Sequence, residues 1–331
     1  MAALYITSSQ AGAGKTMVCA GLGRHLKGKG KKVGFFKPLV AAIESKTADS
    51  DTAFMRRILF LKEPVEDLCP VISGDVAKKV KQAYTRVAKG KDVVIIEGVW
   101  RQRPGGKPVE SAYEIAKALE AKVIVVEAYS PELFKAKLAD KYQGFGGDLL
   151  GVVINKVPLS RMEAVRELGG EVLGIIPEDR TLLGLTVAEL AELIAGKIVN
   201  DAGKSSELVE NYMLGALGVD SGLDYFGRKD NKAVVVKCER PDMQLAALET
   251  STRCLVISGD GSPIHDVLHS AEDKAIPIIV TDEDTASVME SVEKALGMAK
   301  FNQKEKLPRL AEIMRQQIDF EALYKGLGLA A

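Results

Sequence analysis

Short, continuous apolar runs alternate with segments of helical spacing through the first two-thirds of the chain. Runs of this kind, separated by amphipathic helices, predict a parallel sheet that helices cover on both faces. The predicted strands span residues 3–6, 32–37, 92–97, 123–127, 149–155 and 172–177. A predicted helix begins near residue 17, and others span residues 75–88, 110–119, 131–142, 160–168 and 186–199. Ligands of such folds bind at the carboxyl ends of the strands.

A second, shorter alternation follows the polar stretch at residues 200–206, whose composition is typical of a linker. Its predicted helices span residues 208–217, 243–249, 264–271 and 285–296, and its predicted strands span 233–237, 254–258 and 277–281. The segment after residue 300 is charged and of helical spacing, with elements beginning at residues 307 and 318. We therefore expect an α/β domain over residues 1–199, a smaller α/β domain over 207–300 and a helical tail over 301–331.

A glycine-rich turn separates the first predicted strand from the first helix and ends in Gly14-Lys15-Thr16. Strand, small-residue turn, Gly-Lys-Thr and helix form the context of a phosphate-binding loop, in which backbone N–H groups face a polyphosphate. Lys15 would reach the β- and γ-phosphates, and the Thr16 hydroxyl would bind Mg²⁺. Ser9 stands where this motif has its first glycine, and an ordinary glycine-rich turn is the alternative. The candidate nucleotide-binding residues of the turn are Gln10, Ala11, Gly12, Ala13, Gly14, Lys15, Thr16 and Met17.

Lysine and asparagine side chains follow two of the predicted strands, at the sheet edge that carries this loop. Lys37 ends the second strand, where a lysine would stabilise a transferring γ-phosphoryl group or hold an anionic substrate. A surface lysine is the alternative. Asn155 ends a later strand, where its amide would pair with the purine edge of a nucleotide, although asparagine after a strand is also common in turns. Lys15 and Lys37 are thus the catalytic candidates, and Asn155 joins the nucleotide-binding set.

Carboxylates at the same edge predict a magnesium site. Glu97 ends the apolar strand 92–97, and Asp49 and Asp51 lie in the loop after the second strand. Mg²⁺ prefers oxygen ligands and is usually bound by one or two carboxylates together with substrate phosphates. Either aspartate could instead cap the helix that begins near residue 52. The predicted magnesium ligands are Thr16, Asp51 and Glu97.

Composition narrows the classes of partner. The chain of 331 residues has 45 basic and 45 acidic side chains, so no excess charge predicts binding to nucleic acid or to an anionic membrane. No apolar stretch approaches the roughly 20 residues that span a bilayer. The 4 cysteines are scattered without metal-binding spacing, which is typical of reduced thiols. We expect a cytoplasmic protein that uses ATP and Mg²⁺, with neither a nucleic-acid nor a membrane partner.

The first part of the chain resembles dethiobiotin synthetase over about residues 1 to 195. The resemblance is carried by residues 5–38 with their Gly14-Lys15-Thr16 and Lys37-Pro38, and by Ser50-Asp51, Glu97-Gly98 and Asn155. It implies a P-loop NTPase sheet and ATP-dependent phosphorylation of a carboxylate or carbamate. It also implies that Lys15 and Lys37 stabilise the phosphoryl group while Thr16, Asp51 and Glu97 hold Mg²⁺.

Two positions depart from related patterns. The family has small residues after its Glu-Gly, whereas this chain has Trp100, Arg101 and Arg103. These residues change the substrate pocket, and the two arginines are candidates for gripping an anionic ligand. Gln10 stands where the signature-lysine ATPases carry a second lysine, which argues against their dimeric, trans-acting mechanism.

The second part resembles a DRTGG domain over residues 231–236, 239–244 and 245–252. The family has Asp-Arg after a glycine at the first strand end, where this chain has Cys238-Glu239-Arg240, and Arg240 is a further second-ligand candidate. The order of the two domains resembles the N-terminal, non-catalytic half of long bacterial phosphotransacetylases. Because only about 30 residues follow the second domain, we do not expect acetyl transfer.

These patterns leave two functions open. The first is a Mg-ATP-binding regulator or sensor in acetate and acyl-phosphate metabolism, whose second domain binds a small anionic ligand. The second is an ATPase or ATP-dependent ligase or kinase that acts on a small carboxylate or carbamate, and a third reading is a phosphate-binding loop without turnover. We also expect a homo-oligomer and a protein partner in acyl-phosphate metabolism.

Overall fold

The computed structural model describes residues 1–40, 50–98, 110–134, 142–169, 172–200, 203–215, 222–297 and 301–330. The chain divides into two compact units. The first unit comprises Met1–Glu178 together with Phe301–Ala331, and the second comprises Asp179–Lys300. In the described part of the chain, no helix has both the length and the apolar character that crossing a bilayer requires.

The first unit is built on a parallel sheet of six strands in the order β2-β5-β1-β6-β7-β8. Its strands are β1 (Ala2–Ser8), β2 (Val33–Phe36), β3 (Leu39–Val40), β4 (Val71–Ile72), β5 (Val93–Glu97), β6 (Lys122–Ala128), β7 (Leu149–Val157) and β8 (Val172–Pro177), of which β3 and β4 form a separate pair. Its helices before residue 178 are α1 (Lys15–Gly28), α2 (Ser50–Ile58), α3 (Val65–Leu68), α4 (Val76–Ala88), α5 (Glu110–Ala118) and α6 (Met162–Arg166). Single 3₁₀ turns span Pro131–Phe134, Gln143–Asp148 and Leu159–Arg161.

The apolar runs form the central strands because helices on both faces of the sheet exclude water from them. Leu4, Tyr5 and Ile6 of β1 are fully buried, and so are the apolar residues of β5. This confirms the predicted parallel sheet covered on both faces. The helix predicted over 131–142 is a 3₁₀ turn at Pro131–Phe134, and residues 135–141 lie outside the described residues.

The second unit is built on a five-stranded sheet in the order β10-β15-β14-β13-β12, in which only β10 is antiparallel to its neighbour. Its strands are β9 (Leu185–Thr186), β10 (Lys197–Asn200), β11 (Leu208–Val209), β12 (Asn211–Leu214), β13 (Lys232–Lys237), β14 (Thr252–Ser258) and β15 (Ile278–Thr281). Its helices are α7 (Arg180–Leu183), α8 (Val187–Leu193), α9 (Gly222–Phe226), α10 (Pro241–Leu248), α11 (His265–Asp273) and α12 (Thr285–Gly297).

The helix predicted over residues 208–217 is wrong, because the described part of this segment forms strands β11 and β12. Along β12, Tyr212 and Leu214 pack into the apolar cluster on one face of the sheet, whereas Met213 packs into the cluster on the other. This is the period of two that a strand requires. Pairing with β13 along the whole of β12 outweighs the local helical spacing.

The helix predicted over residues 186–199 ends at Leu193, and Lys197–Asn200 forms the edge strand β10. Thr186 caps α8 in a capping box with Glu189, and α8 buries Val187 and Leu190 in the second unit. The first segment of the first unit therefore ends at Glu178 and not at the predicted residue 199, because α8 contributes its apolar face to the core of the second unit.

The segment after residue 300 belongs to the first unit and is not a separate tail. It forms a 3₁₀ turn (Lys304–Lys306) and the helices α13 (Leu307–Gln317) and α14 (Phe320–Leu327). Ile318 makes a bridge to Gly174 of β8, and Met314 of α13 lies against Gly21 of α1. The segment thus packs onto α1 and the β8 edge of the sheet because its helices have apolar faces to bury.

Candidate functional site

The glycine-rich turn between β1 and α1 adopts a backbone conformation with positive φ at two of its glycines. Gly12 and Gly14 have φ values of 67° and 101°, in the region that favours glycine. A Cβ on Gly14 would overlap the amide nitrogen of Asn155. Gly14 is also the N-cap of α1, and no side chain caps this end of the helix. Its first N–H groups and its dipole therefore favour an anion at this end.

The turn presents its middle to solvent and buries its ends. Ala11 and Gly12 are exposed, Gln10 and Gly14 are half-buried, and Ala13 and Met17 are buried. The ammonium group of Lys15 curls back across the loop and donates to Ser8 Oγ at 2.9 Å. The structure thus places the lysine's charge over the loop itself.

Thr16, Lys37, Asp51 and Glu97 meet directly beside this loop. Thr16 Oγ1 donates to Glu97 Oε1 at 3.0 Å and lies 3.4 Å from Asp51 Oδ2. Lys37 Nζ lies 2.9 Å from Asp51 Oδ2 and 3.2 Å from Glu97 Oε1. The four residues come from α1, the end of β2, α2 and β5, so the parallel sheet brings together groups that are distant along the chain.

Burial dominates the electrostatics of this cluster. Glu97 is 3% exposed, and its burial raises the pKa of its carboxyl, whereas Lys37 lowers it and Asp51 raises it again. Glu97 Oε2 is buried and has no hydrogen-bond partner among the described residues. A buried acceptor without a partner is costly, and a cation or a donor brought by a ligand would satisfy it.

The residues present fit Mg²⁺. Two carboxylates and a hydroxyl converge, and one buried carboxylate oxygen is still available. Within the described ranges, no group of three or more His, Cys, Asp or Glu side chains is arranged to hold a metal ion. A site with two carboxylates is nevertheless the usual protein contribution for Mg²⁺, which takes its remaining ligands from water and phosphate.

Asn155 reaches the phosphate-binding loop from β7. Its Nδ2 donates to the carbonyl oxygen of Ala13 at 2.8 Å, and the residue is 3% exposed. The structure therefore places Asn155 in contact with the loop.

A second buried contact to the loop is absent from the sequence prediction. Ser9 Oγ donates to Glu127 Oε2 at 2.8 Å, and the hydroxyl of Tyr142 donates to Glu127 Oε1. All three residues are buried. A signal was available, since Glu127 lies at the end of an apolar strand just as Glu97 does.

Of the arginines predicted to bind a second ligand, Arg240 lies among the described residues. Arg240 lies at the N-terminal end of α10 and forms an ion pair with Asp242 at 2.7 Å, two residues away. This contact lowers the pKa of the Asp242 carboxyl. The positions of Trp100, Arg101 and Arg103, like that of Asp49, lie outside the described residues.

Two family profiles match the chain. Residues 2–184 match the AAA domain family, and residues 189–295 match the DRTGG domain family. The matched ranges correspond to the P-loop unit and to the five-stranded unit. The resemblances inferred from the two sets of motifs are thereby confirmed.

Curated relatives fall into two groups. The phosphate acetyltransferase of Pseudomonas aeruginosa is 26% identical over 377 residues, which cover 99% of this chain and 52% of that protein. The ATP-dependent dethiobiotin synthetase BioD of Methanococcus vannielii is 30% identical over 208 residues, which cover 54% of this chain and 94% of that protein. The chain spans about half the length of the phosphate acetyltransferases that it matches.

Among solved structures, similarity extends to the CBS and DRTGG domains of the regulatory region of a Clostridium perfringens pyrophosphatase, solved with its activator diadenosine tetraphosphate. The match covers 45% of this chain and 75% of that chain at 14% identity, with a TM-score of 0.29. A likeness this low supports no statement about the ligands of this chain.

Proposed function

The chain belongs to the AAA domain family over residues 2–184, and we propose that its first unit binds Mg-ATP. The observation that carries the proposal is the convergence of Thr16, Lys37, Asp51 and Glu97 beside a loop with two left-handed glycines. Each group suits one part of a metal-bound polyphosphate.

Each side chain has a role in this proposal. The loop N–H groups and Lys15 bind the phosphates, and Lys37 places a second cation where negative charge accumulates on a terminal phosphate. Thr16, Asp51 and Glu97 would hold Mg²⁺, which when bound neutralises phosphate charge. Asn155 donates to the loop carbonyl of Ala13 and is the candidate for pairing with the purine edge of the nucleotide.

The second part of the proposal concerns the DRTGG domain. We propose that it binds a small anionic ligand and that the chain acts as a regulator or sensor in acyl-phosphate metabolism. Support comes from the domain order, which this chain shares with phosphate acetyltransferases over nearly all of its length. Arg240 is the candidate anchor, with its ion pair to Asp242 opening when the ligand binds.

A second candidate function rests on Lys37. Its ammonium group lies inside the cluster, 2.9 Å from Asp51 and 3.2 Å from Glu97. A lysine there suits phosphoryl transfer as well as binding, and this position favours an ATP-dependent ligase or kinase that acts on a small carboxylate or carbamate.

Nucleotide binding is tested by thermal unfolding of the whole chain with Mg-ATP. A ligand at 100 times its Kd adds about 2.7 kcal/mol to the free energy of unfolding. We expect this gain in the wild type and in Lys29→Ala, at the other end of α1, and its loss in Lys15→Ala. An equal gain in Lys15→Ala would contradict the phosphate site.

Turnover separates the two candidate functions. Phosphate or ADP release from ATP is measured with a panel of small carboxylic acids and amines plus bicarbonate. Release that depends on one acid or carbamate and disappears in Lys37→Ala would establish the ligase. Binding without stimulated release, with Arg240→Ala abolishing the response to an anionic ligand such as acetyl phosphate, supports the sensor.

A further inference from the structure

Ser9 is the position at which the chain departs from the phosphate-binding motif, and its side chain has a specific contact. The residue is 4% exposed, and its hydroxyl donates to Glu127 Oε2 at 2.8 Å. A glycine at this position would have no group to make this contact. The departure from the motif therefore introduces a hydrogen bond that joins the loop to another strand.

Glu127 is a buried carboxylate with hydroxyl donors on both oxygens. It is 2% exposed, and its other oxygen accepts from the hydroxyl of the fully buried Tyr142. Hydrogen bonds to an ionised carboxylate are stronger than those between neutral groups. The three residues lie at the start of the loop, near the end of β6 and before β7, so they connect three segments that are distant along the chain.

The sheet register explains why Glu127 reaches this position. Strands β1 and β6 are parallel neighbours with Ser8 opposite Val126. Ser9, the first residue after β1, therefore lies beside Glu127, the next residue of β6. On the far side of the loop, Asn155 of β7 donates to the carbonyl of Ala13. The exposed middle of the loop is thus held at both of its ends by side chains from neighbouring strands.

We propose that Glu127 is a positioning residue, which through Ser9 holds the phosphate-binding loop in its binding conformation before nucleotide arrives. The inference rests on the proposed binding of Mg-ATP. A loop that is already ordered loses less conformational freedom on binding, so the contact increases affinity without touching the nucleotide. Tyr142 fixes the orientation of the carboxylate and extends the connection to the segment before β7.

The test measures the Kd for Mg-ATP by calorimetry alongside the unfolding temperature without nucleotide. We expect Ser9→Ala and Glu127→Met each to weaken binding about tenfold, which corresponds to about 1.4 kcal/mol. The double variant should be no weaker than either single variant, because both remove the same contact. Glu127→Gln keeps an acceptor for Ser9 and should recover most of the affinity.

Matched controls come from the exposed surface of the same unit. Ser160→Ala and Glu163→Met make the same chemical changes at exposed positions and should bind like the wild type. If Glu127→Met does not fold, Tyr142→Phe removes a single hydroxyl and should still weaken binding about threefold.

The outcomes separate the two proposals. If the wild type binds Mg-ATP and Ser9→Ala and Glu127→Met bind it equally well, the positioning role is overturned even where their unfolding temperatures fall. Independent, additive losses in the double variant would overturn it as well. Absence of binding by the wild type itself would remove the proposed function, and the positioning role with it.

Discussion

The charged side chains at the carboxyl ends of the parallel strands are arranged differently in the two sheets. At the edge of the first sheet, Lys37 bridges Asp51 and Glu97, and the three residues come from separate segments of the chain. At the edge of the second sheet, Arg240 pairs with Asp242 only two residues away, and the pair is largely exposed. The two units therefore share an architecture without sharing a charge arrangement.

The difference shows what each edge requires from the rest of the fold. Charges that are buried together are expensive to desolvate and depend on each other, so the first edge is held in place by the whole sheet. The exposed pair at the second edge is formed by one helix terminus and contributes little to folding. We infer that the first edge is preorganised for its ligand, whereas the second edge rearranges local contacts to bind one.

The largest expected effect is the loss of the cation at the first edge. Lys37→Met leaves Asp51 and Glu97 without their bridging charge, and removing one partner of a buried ion pair costs about 3 kcal/mol. Arg240→Ala at the second edge should leave the unfolding temperature unchanged. Chemical denaturation of both variants measures the contrast, and equal losses would remove the distinction between the two edges.

Glycines at the two edges provide the second contrast. Gly14→Ala forces a side chain against the Asn155 amide at φ 101°, and Gly261→Ala forces one against Cys238 Sγ at φ 151°. A residue other than glycine in such a conformation costs about 1–3 kcal/mol, so both variants should unfold earlier.

Only Gly14→Ala should also abolish binding of Mg-ATP, because the displaced Asn155 holds the loop. Adding Cys238→Ala should recover part of the stability of Gly261→Ala, since the overlapping sulfur is then gone. If Cys238→Ala recovers no stability, backbone strain at Gly261, and not the overlap with the Cys238 sulfur, sets the loss.

Glu97→Gln should have a smaller effect, of opposite sign to the loss in Lys37→Met. Because the pKa of Glu97 is raised in the folded protein, the folded state binds more protons than the unfolded state as pH rises through the ordinary value of about 4.3. The carboxylate therefore reduces stability above that window. At pH 7 the variant should therefore resist denaturant better than the wild type does, and this gain should vanish below pH 4.

The same variant should bind ATP in a way that no longer responds to Mg²⁺, because one of the proposed ligands is gone. Asp67→Asn, an exposed carboxylate of the same unit, is the control. A variant that is both less stable at pH 7 and still responsive to Mg²⁺ would contradict the role given to Glu97.

Much of the first unit follows from its sequence, since the buried parallel strands are continuous apolar runs whose ends define one edge. Lys37, Glu97 and Asn155 were predicted to share that edge, and the structure places them there. The roles assigned to them remain predictions. The contact of Ser9 with Glu127 was not predictable in the same way, because it depends on the register of β1 with β6.

The second unit was less predictable at its edges. Strands β10 and β12 are the short strands at the two edges of the sheet. Over so few residues, the spacing of apolar side chains does not distinguish a strand from a helix. Both segments form strands because they pair with β15 and β13, respectively. The boundary near residue 178 was missed for a related reason. The apolar face of α8 packs into the core of the second unit, and the sequence of α8 alone does not indicate which of the two cores it joins.

The smallest expected effect concerns a histidine that has become part of a core contact. His25 stacks on Phe320 with ring centroids 3.5 Å apart, and burial, followed by the charge of Lys29, lowers its pKa. The unfolded state then binds more protons than the folded state below the ordinary value of about 6.5. Stability should therefore fall as pH drops below 6.5, because protonation places a charge on a partly buried imidazole near Lys29.

His25→Gln should make stability less dependent on pH below 6.5. Above pH 7.5 the variant should unfold at a lower temperature than the wild type, because the stack on Phe320 is lost. His269→Gln is the matched control, since it removes an imidazole that is 67% exposed in the second unit. The unfolding temperatures of the wild type and of both variants are measured from pH 5 to 8. A slope that survives in His25→Gln would place the sensitive group elsewhere and would leave the contact between α1 and α14 as packing alone.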